Sequence, residues 1–479
     1  MARAAGAGAR NTLTATEIVH AIAAGETTCE AVVRDCLDRI EQREGIIHAW
    51  ASIDPELVLR HARERDRSAA RGPLHGVPIG VKDIIDTADL PTEMGSPIYR
   101  GHRPTTDAAC VALVRAAGAV ILGKTVTCEF AGMAPGATAN PHDVAHTPGG
   151  SSSGSGAAVA DFMIPAAFGT QTGGSVLRPA SYCGVFGFKP TFGAFNRNGV
   201  YPAAESLDTL GLITRSLDDI ELLSAVLELR TPSQPRPLDR PPRIGLCRTP
   251  LWNAAQPETV AAIEDAAQRL DKAGARVREI VLPDQFAGLR NAARETINNY
   301  ERSAAMAHEW NNHRERISEK LRKRIELGRA MPRADYVAAL RLGEDCRARL
   351  PAVFEEVDVL LTPSVNGEAP RGLDETGDPG FQAIWTILHT PALTLPTHRG
   401  PRGLPVGIQL VAPRFADRRL LACASWIWPN SDRLTWLAIG ARETSWNSTI
   451  HSKCPCLRLR LGNSCSTSSA SRPACRGRS

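Results

Sequence analysis

No apolar run in the 479 residues approaches the roughly 20 consecutive apolar positions that a membrane-spanning helix needs. The opening MARAAGAGARNTLTATEI has two early arginines but no apolar stretch of the kind a secretory signal requires. A cytoplasmic protein without a membrane partner is the expectation. Acidic residues are missing from 445–479, which holds Lys453, Arg458, Arg460, Arg472, Arg476 and Arg478. The formal charge of +5 belongs to that end, since the preceding 444 residues set 50 basic side chains against 51 acidic ones. Nothing there resembles the basic footprint of a nucleic-acid binder.

Cysteine pairs are also lacking. Cys29, Cys36, Cys110, Cys128, Cys183, Cys247, Cys346 and Cys423 form no C-x-x-C unit and have no histidine at ligand spacing, so reduced, buried thiols are expected. Cys454, Cys456, Cys465 and Cys475 crowd into the Ser/Arg-rich end, spaced C-x-C-x8-C-x9-C, a poor match to structural zinc sites. No metal or cofactor is implied. No internal repeat is present either.

The 43% hydrophobic content is enough for a sizeable core. Thr14-x-x-Glu17 and Thr27-x-x-Glu30 have the capping-box pattern and predict two helices separated by Gly25. A strand is expected over 77–81, ending at Lys82-Asp83. An Asp107-capped helix closed by Gly118 should then lead into a strand over 119–122. Helices alternating with short strands predict an α/β fold built on a mixed sheet. The reading is one large domain over 1–428, with the Pro-rich stretch 230–242 as an internal connector, and an atypical, disordered tail over 429–479.

Residues 147–156, TPGGSSSGSG, have the composition of a flexible linker. Two chemical motifs compete with what that stretch and its surroundings suggest. Gly118-x4-Gly123-Lys124-Thr125 spells a phosphate-binding loop, but Ala-Val-Ile-Leu between the glycines is strand-like and a helix precedes it, the reverse of the required order. Gly150-x-Ser152-x-Gly154 spells a nucleophile elbow, with His389 or His398 as a base, but a polar Pro/Gly loop stands where an apolar strand should lead in.

The third constellation extends further. The Ser/Gly stretch runs straight into AAVADFMIPAAF and then into a second Gly-Gly-Ser turn, GTQTGGSVLRPASYCGVFGFKP, with Ser151 and Ser175 at corresponding places. Glycines permit close backbone approach, and successive N–H groups of such a turn can converge on one oxygen. A linker would not be followed at once by core segments and a second copy of the same device.

In GVPIGVKDIID, PGGSSSGSGAAVA, GTQTGGSVLRPASYCGVFGFKPTFG, SLDTLG and GLPVGIQLV, the chain resembles the amidase signature family over roughly 12–428. The resemblance implies an α/β fold with a central mixed sheet wrapped by helices, and a Ser-cis-Ser-Lys triad. Ser175 would be the nucleophile, Ser151 the bridging serine entered through a cis bond from Gly150, and Lys82 the base. The N–H groups of Thr172, Gly173, Gly174 and Ser175 would bind the oxyanion, and Ser152 would support the network. The implied activity is hydrolysis of a carboxamide to a carboxylate and ammonia or an amine through an acyl-enzyme, with a small-molecule amide as partner. The rivals are a glutaminase-type component of a tRNA-dependent amidotransferase and a non-catalytic protein that keeps the fold. A homodimer is the working expectation.

Lysine serves as a base only when neutral, and the apolar GVPIGV before Lys82 suits it to desolvation. Ser153 and Ser155 read as capping or loop residues, Arg178 as an orienting residue or a contact for an acidic substrate, and Asp208 as a loop pin. Gln171 stands where many family members, including the glutaminase component of the amidotransferase, have Asp, which favours a stand-alone amidase. Asp161 stands where a small residue is common and is expected to perturb the helix end. Specificity is expected from 128–138, 192–206, 290–340 and the surroundings of Trp385.

Overall fold

The computed structural model describes residues 9–233 and 238–433; the cysteine- and arginine-rich end therefore lies outside the described residues. Eleven strands form one mixed sheet. In chain order they are β1 (Trp50–Ser52), β2 (Pro78–Lys82), β3 (Val120–Thr125), β4 (Ala166–Gln171), β5 (Phe186–Lys189), β6 (Thr209–Thr214), β7 (Arg243–Leu246), β8 (Arg276–Glu279), β9 (Val359–Pro363), β10 (Ala392–Arg399) and β11 (Pro405–Val411). Their spatial order is β1-β3-β2-β4-β6-β5-β10-β11-β9-β7-β8. The expected α/β class with a mixed sheet is what the chain adopts.

Every residue of β2, β3, β4, β6, β9 and β11 is buried. These are apolar runs without polar alternation, the pattern of strands covered on both faces. β2 pairs in parallel with β3 and with β4, while β6 turns antiparallel on the far side of β4. The parallel pairing has a direct consequence. It sets the carboxyl ends of β2 and β4 at one edge, where open α/β sheets place their ligands.

The Ser/Gly stretch is a core element. Helix Ser153–Ala160 is buried at every position, and its two glycines leave no room for a side chain. A β-carbon on Gly154 would stand 2.1 Å from the Ala49 carbonyl oxygen, and one on Gly156 would stand 3.0 Å from Pro179. Ser155, far from capping anything, bonds Thr125 Oγ1 at 2.7 Å and donates to the Phe168 carbonyl at 2.8 Å. Ser153 is likewise inside the helix, its hydroxyl 3.4 Å from the Val126 carbonyl. This helix runs into β4, so its amino end returns to the same edge as the carboxyl ends of β2 and β4.

Several local expectations shift by a residue or more. Thr14 forms the full capping box with Glu17, but the second helix, Cys29–Ile47, is capped by Thr28 rather than Thr27. Glu30 does not close a second box and pairs with Arg34 and Arg63. Asp107 does not cap helix Ala109–Ala116; it accepts from Ala88 N at 2.8 Å and pairs with Arg115 at 3.0 Å. Asp161 does not disturb its helix end. It is fully buried and holds Arg39 at 2.9 Å and Arg43 at 3.0 Å, tying the second helix to the Ser/Gly helix.

Candidate active site

Lys82 ends β2, fully buried, and its Nζ donates to Ser151 Oγ and to Thr170 Oγ1, each at 2.8 Å. Burial among apolar strands opposes its charge and brings its pKa down from 10.5 to about 7. Asp83, its neighbour in sequence, does not pair with it. That carboxylate pairs with Lys124 at 3.2 Å, and Lys124 is further held by the Pro91 carbonyl and Thr92 Oγ1. The lysine of the apparent phosphate loop is thus a buried structural cation inside β3.

Ser151 follows a cis peptide bond from Gly150. Cys128 N donates to its carbonyl at 3.1 Å, and Arg178 Nη2 donates to the Gly150 carbonyl at 2.6 Å and to Thr376 Oγ1 at 3.0 Å. Ser152 Oγ lies within 3.4 Å of both the N and the O of Thr170, and Ser152 N donates to the Ser175 carbonyl at 3.3 Å. These bonds tie the first turn to the second. The elbow reading of Ser152 fails on its surroundings. His389 stacks on Phe192 and bonds the Ser206 carbonyl, and His398 bonds Asp265.

The second turn follows β4. Ser175 is partly exposed while its neighbours from Gln171 to Gly174 and from Val176 onward are buried. Gln171 Oε1 accepts from Val176 N at 2.9 Å and Leu177 N at 3.1 Å, and its amide donates to Thr386 Oγ1 at 3.0 Å. Among the described residues, the N–H groups of Thr172, Gly173, Gly174 and Ser175 have no acceptor. Gln171 therefore satisfies the two N–H groups that follow Ser175 and leaves the four before them open. Thr386 Oγ1 donates to the Gly173 carbonyl at 2.7 Å, and Asp208 accepts from Thr172 Oγ1 at 2.6 Å. Asp208 also takes the N–H groups of Ala203 and Ala204, as a loop pin should.

Lys82, Ser151, Ser152 and the 172–175 turn thus meet at one sheet edge. Thr170 is a participant without a local signal in the sequence, because a threonine inside a strand looks like any other. Arg294, against Gly173, falls within the broad stretch 290–340 expected to set specificity, with nothing in the sequence to single it out. Trp385 is fully buried and lines no open surface. No group of three or more His, Cys, Asp or Glu side chains that could hold a metal occurs among the described residues.

The sequence profile of the Amidase family matches residues 31–421. The chain is 32% identical to the glutamyl-tRNA(Gln) amidotransferase A subunit of Thermobifida fusca, over 85% of this chain and 93% of that one. It is 34% identical to the corresponding protein of Chloroflexus aggregans, over 85% and 94%. Among solved structures, the peptide amidase of Stenotrophomonas maltophilia superposes with a TM-score of 0.76 at 29% identity, over 88% of this chain and 98% of that one. With this fold, these turns and a match across most of its length, the chain belongs to the Amidase family.

Proposed function

We propose that the protein hydrolyses the C–N bond of a small carboxamide through an acyl-enzyme on Ser175. The observation that carries this reading is the fully buried Lys82 amine, 2.8 Å from Ser151 Oγ and poised near pH 7. A neutral amine offers a lone pair, and the same 2.8 Å contact then serves with Ser151 as donor. Ser151 passes its proton to Lys82 as it takes the proton of Ser175, and Ser175 Oγ bonds the amide carbon. The open N–H groups of 172–175 stabilise the oxyanion. As the C–N bond breaks, the proton returns through Ser151 to the leaving nitrogen. Water then attacks the ester along the same relay, releasing the carboxylate and restoring Ser175.

Intact-mass detection of a fluorophosphonate adduct tests this without a substrate. One adduct is expected on the wild type, absent from Ser175→Ala and strongly slowed in Lys82→Ala. A well-folded wild type that takes no adduct sinks the reading.

A second reading has its own support. The glutamyl-tRNA(Gln) amidotransferase relatives align over nearly their whole length, so a glutaminase role within a tRNA-dependent complex is the rival. Gln171, where those relatives are expected to have Asp, favours the stand-alone enzyme. Stable co-purification with a second protein, with amidase activity only in the complex, would favour the rival.

A further inference from the structure

The Gly-Gly-Ser turn is overlooked by an arginine that no signature motif contains. Arg294 lies in the π-helical segment Arg290–Glu295 and is 7% exposed. It presses on the turn so closely that a β-carbon on Gly173 would stand 2.5 Å from its Nη2. Its Nε faces the Thr172 carbonyl at 3.5 Å and its Nη1 pairs with Glu295, while Nη2 has no acceptor among the described residues. Glu295 is not Arg294's alone, since its other oxygen lies 3.1 Å from Arg324. One carboxylate serves two guanidinium groups.

A second observation concerns Arg178, three residues beyond Ser175. With Nη2 spent on the Gly150 carbonyl and Thr376, its Nε and Nη1 are sealed from solvent without an acceptor. A guanidinium carries five donors and no acceptor, so a buried one wants an anion. Burial disfavours the charge of Arg294 most; Glu295 favours it, and Arg324, Arg178 and Arg290 oppose it. Asp378 answers Arg290 at 2.6 Å and Glu295 is shared by Arg294 and Arg324, so two carboxylates pair with three of these four guanidinium groups and none pairs with Arg178. A substrate anion would correct the imbalance.

We propose that the substrate is an anionic amide, with a carboxylate on the acyl chain a few carbons from the scissile carbonyl, and that Arg294 receives that carboxylate. The proposal rests on Ser175 being the nucleophile, because that fixes where the acyl chain starts. The bidentate fork of Arg suits a carboxylate better than the point charge of Lys.

Two measurements on the full chain test it. In the first, kcat/KM for glutaramate and succinamate is compared with that for butyramide and propanamide. The anionic amides are expected to be preferred by at least about tenfold, and the preference should shrink by about tenfold in Arg294→Gln and recover in part in Arg294→Lys. The second is calorimetric titration of glutarate against butyrate, which needs no turnover. Glutarate is expected to bind the wild type at least about tenfold more tightly, and to lose that advantage in Arg294→Gln. Equal use of neutral and anionic amides by the wild type, or equal binding of glutarate and butyrate, overturns the proposal even if Arg294→Gln does not fold. Loss of fluorophosphonate labelling with the glutarate preference intact would instead overturn the hydrolase reading and leave the anion site standing.

Discussion

Lys82 gives Thr170 the same 2.8 Å hydrogen bond that it gives Ser151. Two hydroxyls therefore fix the direction of one buried amine. Thr170→Val keeps the β-branched shape that β4 needs and removes only the acceptor. A net hydrogen bond is worth about 1–1.5 kcal/mol, so kcat should fall by about tenfold with KM little changed. Thr170→Ser should restore most of it. Fluorophosphonate labelling rates give the same comparison without a substrate, and an unaltered rate in Thr170→Val would show that Ser151 alone orients the amine.

The position of Lys82 on the pH scale predicts a profile. With a pKa near 7, the amine is protonated and idle below that pH, and free to accept a proton above it. The rate of Ser175 acylation should rise with pH through about 7 and then level off. Lys82→Arg should be inactive across the range, because a guanidinium stays charged. A profile still climbing steeply toward about pH 10 would place the amine at its ordinary value and remove burial as the source of its basicity.

The same burial has a thermodynamic price. Between pH 7 and 10.5 the unfolded chain holds a proton on Lys82 that the folded chain has shed. Stability therefore rises with pH across that window, and the penalty is fully present below about 7. Lys82→Met removes the penalty but leaves the Ser151 and Thr170 hydroxyls with one contact fewer. The expected net result is an inactive protein more stable by about 1–3 kcal/mol at about pH 7, read by chemical denaturation. A less stable Lys82→Met would mean that the hydroxyls matter more to the fold than the desolvated amine.

The Gly/Ser turns were legible in the sequence because their chemistry is local: consecutive glycines and serines lie within a few residues of each other. The lysine became interpretable only beside them, since Lys82-Asp83 alone reads as a surface pair. What escaped was non-local. Thr170 looks like any strand residue until β2 is set parallel to β4, and Arg294 meets Gly173 only after a long excursion of the chain. The expected cap Thr27 yields to its neighbour Thr28 because the helix geometry reaches the second hydroxyl and not the first. Asp107 lost its cap to a competing backbone donor and an arginine.

Asp161 gives a prediction opposite to its sequence impression. Its carboxylate is fully buried between Arg39 and Arg43, and its carbonyl accepts from Arg39 Nε at 2.8 Å. Asp161→Ala installs the small residue that the helix end should prefer, yet it takes the carboxylate from two arginines that are themselves mostly covered, leaving Arg39 its bond to the residue 161 carbonyl. Loss of about 2–4 kcal/mol is expected, less than for a wholly buried pair because water can reach the arginines. Thermal or denaturant unfolding measures it, and a neutral or stabilising effect would restore the view that Asp161 is a defect of the helix end.

Gln171 tests how the oxyanion turn is built. Its oxygen accepts the N–H groups of Val176 and Leu177, while its nitrogen donates to Thr386, which in turn donates to the Gly173 carbonyl. Gln171→Glu preserves length and the acceptor but replaces the donor with an oxygen facing Thr386. The Thr386 hydroxyl is then drawn from Gly173 toward the new carboxylate, loosening the peptide that aims the open N–H groups. Acylation of Ser175 is expected to slow by about tenfold, the scale of one misdirected hydrogen bond in a site that depends on preorganisation. Thr386→Val, which removes the same link from the other side, should slow it comparably, and the double variant should be little worse than either alone. Additive losses in the double variant would show that Gln171 and Thr386 support the turn independently, and the proposed chain from β4 through Thr386 to Gly173 would fall.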